Sequence, residues 1–250
     1  MALIVVGLAL LLATGAGALI VLRPTAAPEP SLSLPSVGPP PTKAPGAEVT
    51  AAMWKLIGTS AVSYHLETSG TVVAKAADKR FAQKFTLALD IAGDDYVGTL
   101  AFAGGKKYVW DRFQGTVYAR VAGTSKWSST PTFDRAFRQS PFMGLDDQRE
   151  LAYGGSFVEK GITLHRLVST EAYRPSVARM LALARFDLPF LAVDVHLELI
   201  VTDEGVPVRA TFSCKVAPDP EKGIIGFSGS AKFSYSKFGQ GPKITAPPTH

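Results

Sequence analysis

Several stretches of this chain alternate apolar and polar side chains for ten residues or more, and that alternation fixes both the element type and the face it buries. In Phe81–Ile91, the side chains of Phe81, Phe85, Leu87, Leu89 and Ile91 oppose Lys84, Thr86 and Asp90. In Leu191–Thr202, Val193, Val195, Leu197, Leu199 and Val201 oppose Asp194, His196, Glu198 and Thr202. Val206–Val216 repeats the pattern, and Val62–Ala74 sets Tyr64, Leu66 and Val72 against His65, Glu67 and Ser69. Successive side chains of a strand point to opposite faces, so a period of two marks a half-buried strand. Asp94-Asp95, Gly104-Gly105 and Asp203-Glu204-Gly205 supply tight turns between such runs, and short turns join antiparallel neighbours. Strands this long are unusual for a flat sheet. They suit an α+β fold in which a strongly curved antiparallel β-sheet, apolar on one face and wetted on the other, wraps around short helices.

The other elements follow from the same reading. Strands are expected at Tyr96–Ala103, Lys107–Asp111 and Thr116–Val121, with an edge near Trp127, a strand pair over Phe157–Ser169 and a last strand over Ile224–Phe238. Helical spacing places Val49, Met53, Leu56 and Ile57 on one face of Ala47–Gly58. Short helices are expected at Thr132–Gln139, Gly144–Tyr153 and Ala172–Ala184.

Ahead of this body stand two segments of different composition. Residues 1–22 contain no charged side chain, and an apolar run of about 18 or more residues is long enough to cross a bilayer as a helix. Ala16-Gly17-Ala18 also offers a signal-peptidase site. Cutting there leaves Leu19-Ile-Val-Leu as an unburied new terminus, which favours an uncleaved transmembrane anchor over secretion after cleavage. Ala13, Thr14, Gly17 and Ala18 have the small-xxx-small spacing that lets helices pack in lipid, although such residues are more often merely tolerated there. Arg23, alone on the C-terminal flank, is weak evidence for a cytoplasmic body. Long domains translocate largely regardless of charge, and the long linker and large body fit export better. Residues 23–46 hold eight prolines among Ser, Ala and Thr. Such a linker favours extended polyproline II and reaches roughly 70 Å at about 3.1 Å per residue. Residues 47–250 make one domain.

Charge and reactive groups exclude several functions. The chain carries a formal net charge of +5, of which the body retains +4. Its basic residues are scattered, which does not support a nucleic-acid footprint but leaves a mild attraction to anionic membrane surfaces. Cys214 is the lone cysteine, and the alternation points it inward as a small apolar side chain rather than a reactive thiol. With no Asn in the chain, N-glycosylation is excluded. Gly226-Phe-Ser228-Gly-Ser230 fails the nucleophile-elbow pattern at its last position, and no glycine-rich phosphate loop occurs. His65, His165 and His196 are expected on polar faces or edges of separate strands, with no metal-ligand spacing. Asp94-Asp95 and Asp146-Asp147 read as turn and cap residues. No catalytic, cofactor or metal site is expected, and an enzyme is disfavoured. Abundant apolar side chains remain, forming either a packed core or, where the helices leave space, a pocket for apolar ligands.

Phrases spread over nearly all of residues 47–247 resemble a known family. They include Ser63-Tyr-His-Leu-Glu-Thr-Ser-Gly-Thr-Val, Asp90-Ile-Ala-Gly-Asp-Asp-Tyr-Val-Gly-Thr-Leu, Lys107-Tyr-Val-Trp with Trp127, Val206-Pro-Val-Arg, Phe233-Ser-Tyr-Ser-Lys-Phe-Gly and Lys243-Ile-Thr-Ala-Pro-Pro. Together they resemble the actinobacterial LppX/LprG-type lipoproteins, whose fold is similar to the LolA/LolB-like lipoprotein-sorting chaperones. The resemblance implies a half-barrel around helices, a cavity for acyl chains of lipids or lipoglycans, and lipid carriage outside the cytoplasmic membrane. Members usually carry a lipobox cysteine. Here Leu12-Ala-Thr-Gly15 stands in that region without one, which leaves the apolar helix as the anchor. The expectation is a cell-envelope lipid-binding protein whose cavity is lined by Phe81, Phe85, Leu87, Leu89, Val195, Leu197, Leu199, Phe212, Phe227 and Phe233. The alternative is a ligand-free interaction or sensor domain that binds another envelope protein.

Overall fold

A computed structural model describes residues 46–57, 63–76, 79–93, 95–114, 116–129, 145, 147–177, 193–218 and 226–247, without the side chains of 75–76, 79–81 and 129. The apolar run 1–22, the linker up to residue 45 and the helix expected at Thr132–Gln139 lie outside them. Among the described residues, no helix is long and apolar enough to cross a membrane.

Helix α1 (Ala47–Ile57) is followed by β1 (Ser63–Ala76), β2 (Lys79–Ala92), β3 (Asp95–Phe102), β4 (Lys107–Phe113), β5 (Thr116–Val121) and β6 (Ser128–Ser129). A 3₁₀ turn (Gln148–Glu150) then leads into β7 (Leu151–Glu159), β8 (Ile162–Ser169), β9 (Val193–Thr202), β10 (Pro207–Val216) and β11 (Gly226–Ser236). The strands form one sheet in the order β6-β5-β4-β3-β2-β1-β11-β10-β9-β8-β7. Every neighbour is antiparallel. Two meanders are therefore joined where the first strand pairs with the last, and β6 and β7 are the two edges of an unclosed sheet. Twist accumulates between neighbours, and a sheet of this width curls rather than staying flat.

Alternation predicted the long strands well because each buries a single face. The expected helix at Gly144–Tyr153 is overturned. Only one 3₁₀ turn forms there, with Asp147 as its N-cap accepting from the Arg149 N–H, and Leu151 already begins β7. The capping residues are genuine, but pairing along β8 wins over helix propensity from Leu151 onward. Gly154-Gly155 sits in a register shift between Tyr153 and Ser156. Of the helix expected at Ala172–Ala184, residues 173–177 are helical and the remainder from 178 lies outside the described residues.

Two glycines set the curvature and the seat of the helix. At Gly70, in the middle of β1, the place a Cβ would occupy is taken by the Phe85 ring and the Ser230 carbonyl. Glycine inside a strand marks such close approach and bending. At Gly205, in the β9–β10 turn with φ of 74°, a Cβ would meet the backbone of Ala52 and Met53 in α1. This contact holds the helix against the concave face, where Val49 and Met53 join the core.

The convex face is wetted and carries polar pairs such as His65 with Asp90, whose Nδ1 and Oδ1 are 2.7 Å apart. Asp111 is an exception. It lies between Val97 and Tyr118 in the ladder, is 5% exposed, and its Oδ1 has no hydrogen-bond partner among the described residues. Burial, and then the charge of Asp95, pushes its carboxyl up to about 6.

Two outcomes are expected. Gly205→Ala adds a Cβ at positive φ and against helix backbone, so urea unfolding should report a loss of about 2 kcal/mol or more. Asp111 binds its proton more tightly folded than unfolded, so its contribution is present below the ordinary aspartate value and is lost as pH rises through about 6. Asp111→Asn should remove that slope and leave the protein more stable than the parent at pH 7, by on the order of 1 kcal/mol in denaturant titrations.

Candidate functional site

The concave face is organised by lateral rows, because antiparallel register places one residue of each strand beside its neighbours. One row runs without interruption across ten strands. It starts at Val121, Tyr108, Leu100 and Leu87, crosses Thr68, Phe233 and Ala210, and ends at Leu199, Leu167 and Tyr153. Its polar groups are Thr68 and the hydroxyls of Tyr108 and Tyr153. The next row carries Phe102, Phe85, Gly70, Ala231, Phe212 and Leu197. Beyond it lie Val72, Gly229, Cys214 and Val195.

These rows bring together the residues expected from the sequence. Phe85, Leu87, Leu89, Leu197, Leu199, Phe212, Phe227 and Phe233 are all buried in one cluster, and Val195 is packed against it partly buried. Phe81 pairs with Ala74 in the ladder, but its side chain is outside those described. Size varies across the face in a regular way. Gly70, Ala231, Gly229, Cys214 and Ala210 occupy the central strands β1, β11 and β10, while Phe85, Phe212 and Leu197 stand beside them. Small residues thus alternate with large ones along the middle of the sheet, and at Gly70 the Phe85 ring fills the space a side chain would take.

Apart from Arg112, buried at its margin in register with Tyr96, the titratable groups of this face are held neutral. Burial pushes the Cys214 thiol up to about 12, with Asp194 adding to the shift. Tyr64 and Tyr235 are pushed above the ordinary tyrosine value, each chiefly by burial. All three stay neutral at physiological pH. Tyr64 also stacks on Phe238 at 5.3 Å between centroids, closing one end of the face with rings. Among the described residues no group of three His, Cys, Asp or Glu is placed to hold a metal ion.

Polar chemistry gathers at the rim. His165, expected on a polar face or edge of its strand, shares the side of Leu167 at the rim. Its Nδ1 lies 3.0 Å from the Tyr153 hydroxyl and its Nε2 2.5 Å from Asp203. The missing Cβ of Gly46, last residue of the linker, faces the Tyr153 ring, so the chain enters the body beside β7. On the convex face a depression of about 380 Å³ is lined chiefly by Thr71, His196, Ser213, Lys215, Ser228 and Ser230. It is open, hydroxyl-rich and on the side opposite the apolar rows.

Sequence reasoning missed the outer end of the β7–β8 hairpin. Phe157, Val158 and Ile162 are 36%, 70% and 59% exposed, the only large exposed apolar side chains among the described residues. The signal was present: Phe157-Val158 breaks the period of two, so one of the pair must face away from the core.

No family model matches the chain, and no curated protein matches it. Among solved structures it is similar to the lipoprotein LppX of Mycobacterium tuberculosis, at 13% identity over 79% of this chain and 94% of that one, with a TM-score of 0.44. It is also similar to LprF from Mycobacterium bovis, at 12% identity over 80% and 97% with a TM-score of 0.40. A LolA superfamily protein from Nitrosomonas europaea matches at 10% identity over 80% and 93%, TM-score 0.28. LppX and LprF are members of the family that the sequence phrases resemble.

The burial of Cys214 gives a direct check of the inner face. An alkylating reagent at pH 8 should leave the folded protein unmodified and label one thiol as soon as denaturant unfolds it, read by intact mass.

Proposed function

We propose that this chain is a membrane-anchored, extracytoplasmic lipid-binding protein that carries acyl chains against the concave face of its sheet. Residues 1–22 form the anchor, 23–46 the linker and 47–250 the lipid-binding body. The observation that carries the reading is the apolar row crossing ten strands of an unclosed sheet, with a central strip of small side chains between Phe and Leu walls. An acyl chain is long, flexible and featureless, and it needs a continuous greasy strip rather than a few placed hydrogen bonds. Shielding it gains about 0.8 kcal/mol per buried CH₂, so about ten buried methylenes supply about 8 kcal/mol, enough for a micromolar complex before ordering costs. The neutral state of Cys214, Tyr64 and Tyr235 supports the same reading, since a buried charge there would repel hydrocarbon. No protein group is asked to make or break a bond.

A second reading keeps the fold but drops the ligand, with the exposed Phe157–Ile162 tip binding another envelope protein. Lipid content separates the two. Residues 47–250, produced and purified without detergent, should carry lipid adducts in native mass spectrometry, with occupancy several-fold lower in Ala231→Phe, which fills the central strip. A wild-type body free of lipid, with its circular dichroism showing the folded sheet, overturns the carrier reading.

A further inference from the structure

The β7–β8 hairpin ends in a two-residue turn at Lys160-Gly161, both at positive φ of 52° and 79°, which suits the right-handed twist of a tight hairpin. Its apolar residues do not share a face. Glu159 pairs with Ile162 and Phe157 with Leu164, whereas Val158 pairs with Thr163 on the opposite side. The tip thus presents Phe157 and Ile162 outward on one side and Val158 on the other. A hairpin lying on another protein surface needs one apolar face; one that is apolar on both suits immersion in an apolar medium.

Charge around the tip narrows the partner. The acid of the hairpin itself, Glu159, is held by both terminal nitrogens of Arg209 at 3.0 and 2.6 Å. The same guanidinium lies 5.9 Å from the Phe157 ring centroid. Glu159 is therefore neutralised where it stands, and Lys160 gives the hairpin turn its positive charge, with Asp203 and Glu204 on the adjoining β9–β10 turn. Basic side chains beside exposed aromatic and aliphatic ones are the makeup of segments that enter the headgroup region of anionic bilayers.

We propose that the β7–β8 tip is a membrane-insertion element, with Phe157, Val158 and Ile162 entering the lipid interface and Lys160 meeting anionic headgroups. The tip extends the lipid-carrier reading and rests on it, because it brings the rim of the concave face to the membrane surface. Immersion of three side chains is weak alone, but the anchor converts it into an intramolecular step. The linker leads into the body at Gly46 against Tyr153 of the same strand, about 20 Å from the tip at about 3.3 Å per residue. Two weak attachments to one surface hold far better than either.

The experiment uses the full chain reconstituted with vesicles of phosphatidylcholine, alone or mixed with phosphatidylglycerol. An environment-sensitive NBD label is placed at Val158→Cys, and at Ser125→Cys beyond the opposite end of the sheet as a control; buried Cys214 stays unlabelled. The expected result is blue-shifted emission at position 158, quenched by doxyl-labelled lipid and stronger with phosphatidylglycerol, with a water-like signal at 125. Lys160→Glu should abolish the preference for the anionic lipid. A water-like label at 158 in both vesicles overturns the proposal. So does a shift that follows protein concentration instead of lipid, which assigns the tip to a second copy pairing along edge strand β7. Flotation of the Phe157→Ser, Val158→Ser, Ile162→Ser triple variant separates this idea from the anchor. If residues 1–22 anchor the chain it still floats, and if they do not it is released while the wild-type label shift persists.

Discussion

The pairing of β1 with β11 is the contact on which everything else depends. Eleven consecutive residues, His65↔Ser236 to Lys75↔Gly226, join strands from opposite ends of the body. On either side lies a meander built from local hairpins, each with an apolar face that it cannot bury alone. Only the seam between β1 and β11 aligns the two sets of rows into one surface. A slip of one residue there would turn Tyr235, Phe233 and Ala231 outward and set Lys232 and Ser234 against the core. Such a long-range closure is costly in loop entropy and slow to find. It is secured afterwards by local bonds at one end, where the amides of Gly239 and Gly241 donate to the Ser63 carbonyl and hydroxyl at 2.8 and 2.9 Å.

Leaving the sheet open creates a second problem, because unpaired strand edges invite pairing with other chains. Of β6, the described residues include Ser128 and Ser129. In β7 the register shift between Tyr153 and Ser156 disturbs the ladder, and its outer half is the exposed apolar tip. A closed barrel would remove both edges and also seal the concave face. The sheet of the described residues leaves that face open along its edges.

Much of this was legible in the sequence where burial has one side. The inward sets of β1, β2, β9, β10 and β11 were readable residue by residue, because a period of two admits a single assignment once one face must be dry. The boundaries of β5 were readable for the same reason. What failed were positions where local chemistry and tertiary pairing point different ways. Asp147 caps a turn that never becomes a helix, since β8 offers Leu151 and Tyr153 a ladder. His165, read on a polar face or edge, stands at the rim, where Tyr153 and Asp203 supply partners. The order of strands was beyond reach, as alternation says which face is buried and nothing about which neighbour lies alongside.

The placement of charge ties the parts together. Asp90 and His65 lie paired on the convex side, Asp111 is buried there in the ladder, and Arg209 pairs with Glu159 at the hairpin tip. Inside, the ionisable groups Cys214, Tyr64 and Tyr235 are shifted toward their neutral forms by burial. An apolar interior favours those forms, because an ion left there would cost its desolvation. The same reasoning applies to the tip, where Glu159 unpaired would oppose immersion. Arg209 therefore meets the hairpin twice, lying over the Phe157 ring and pairing with Glu159.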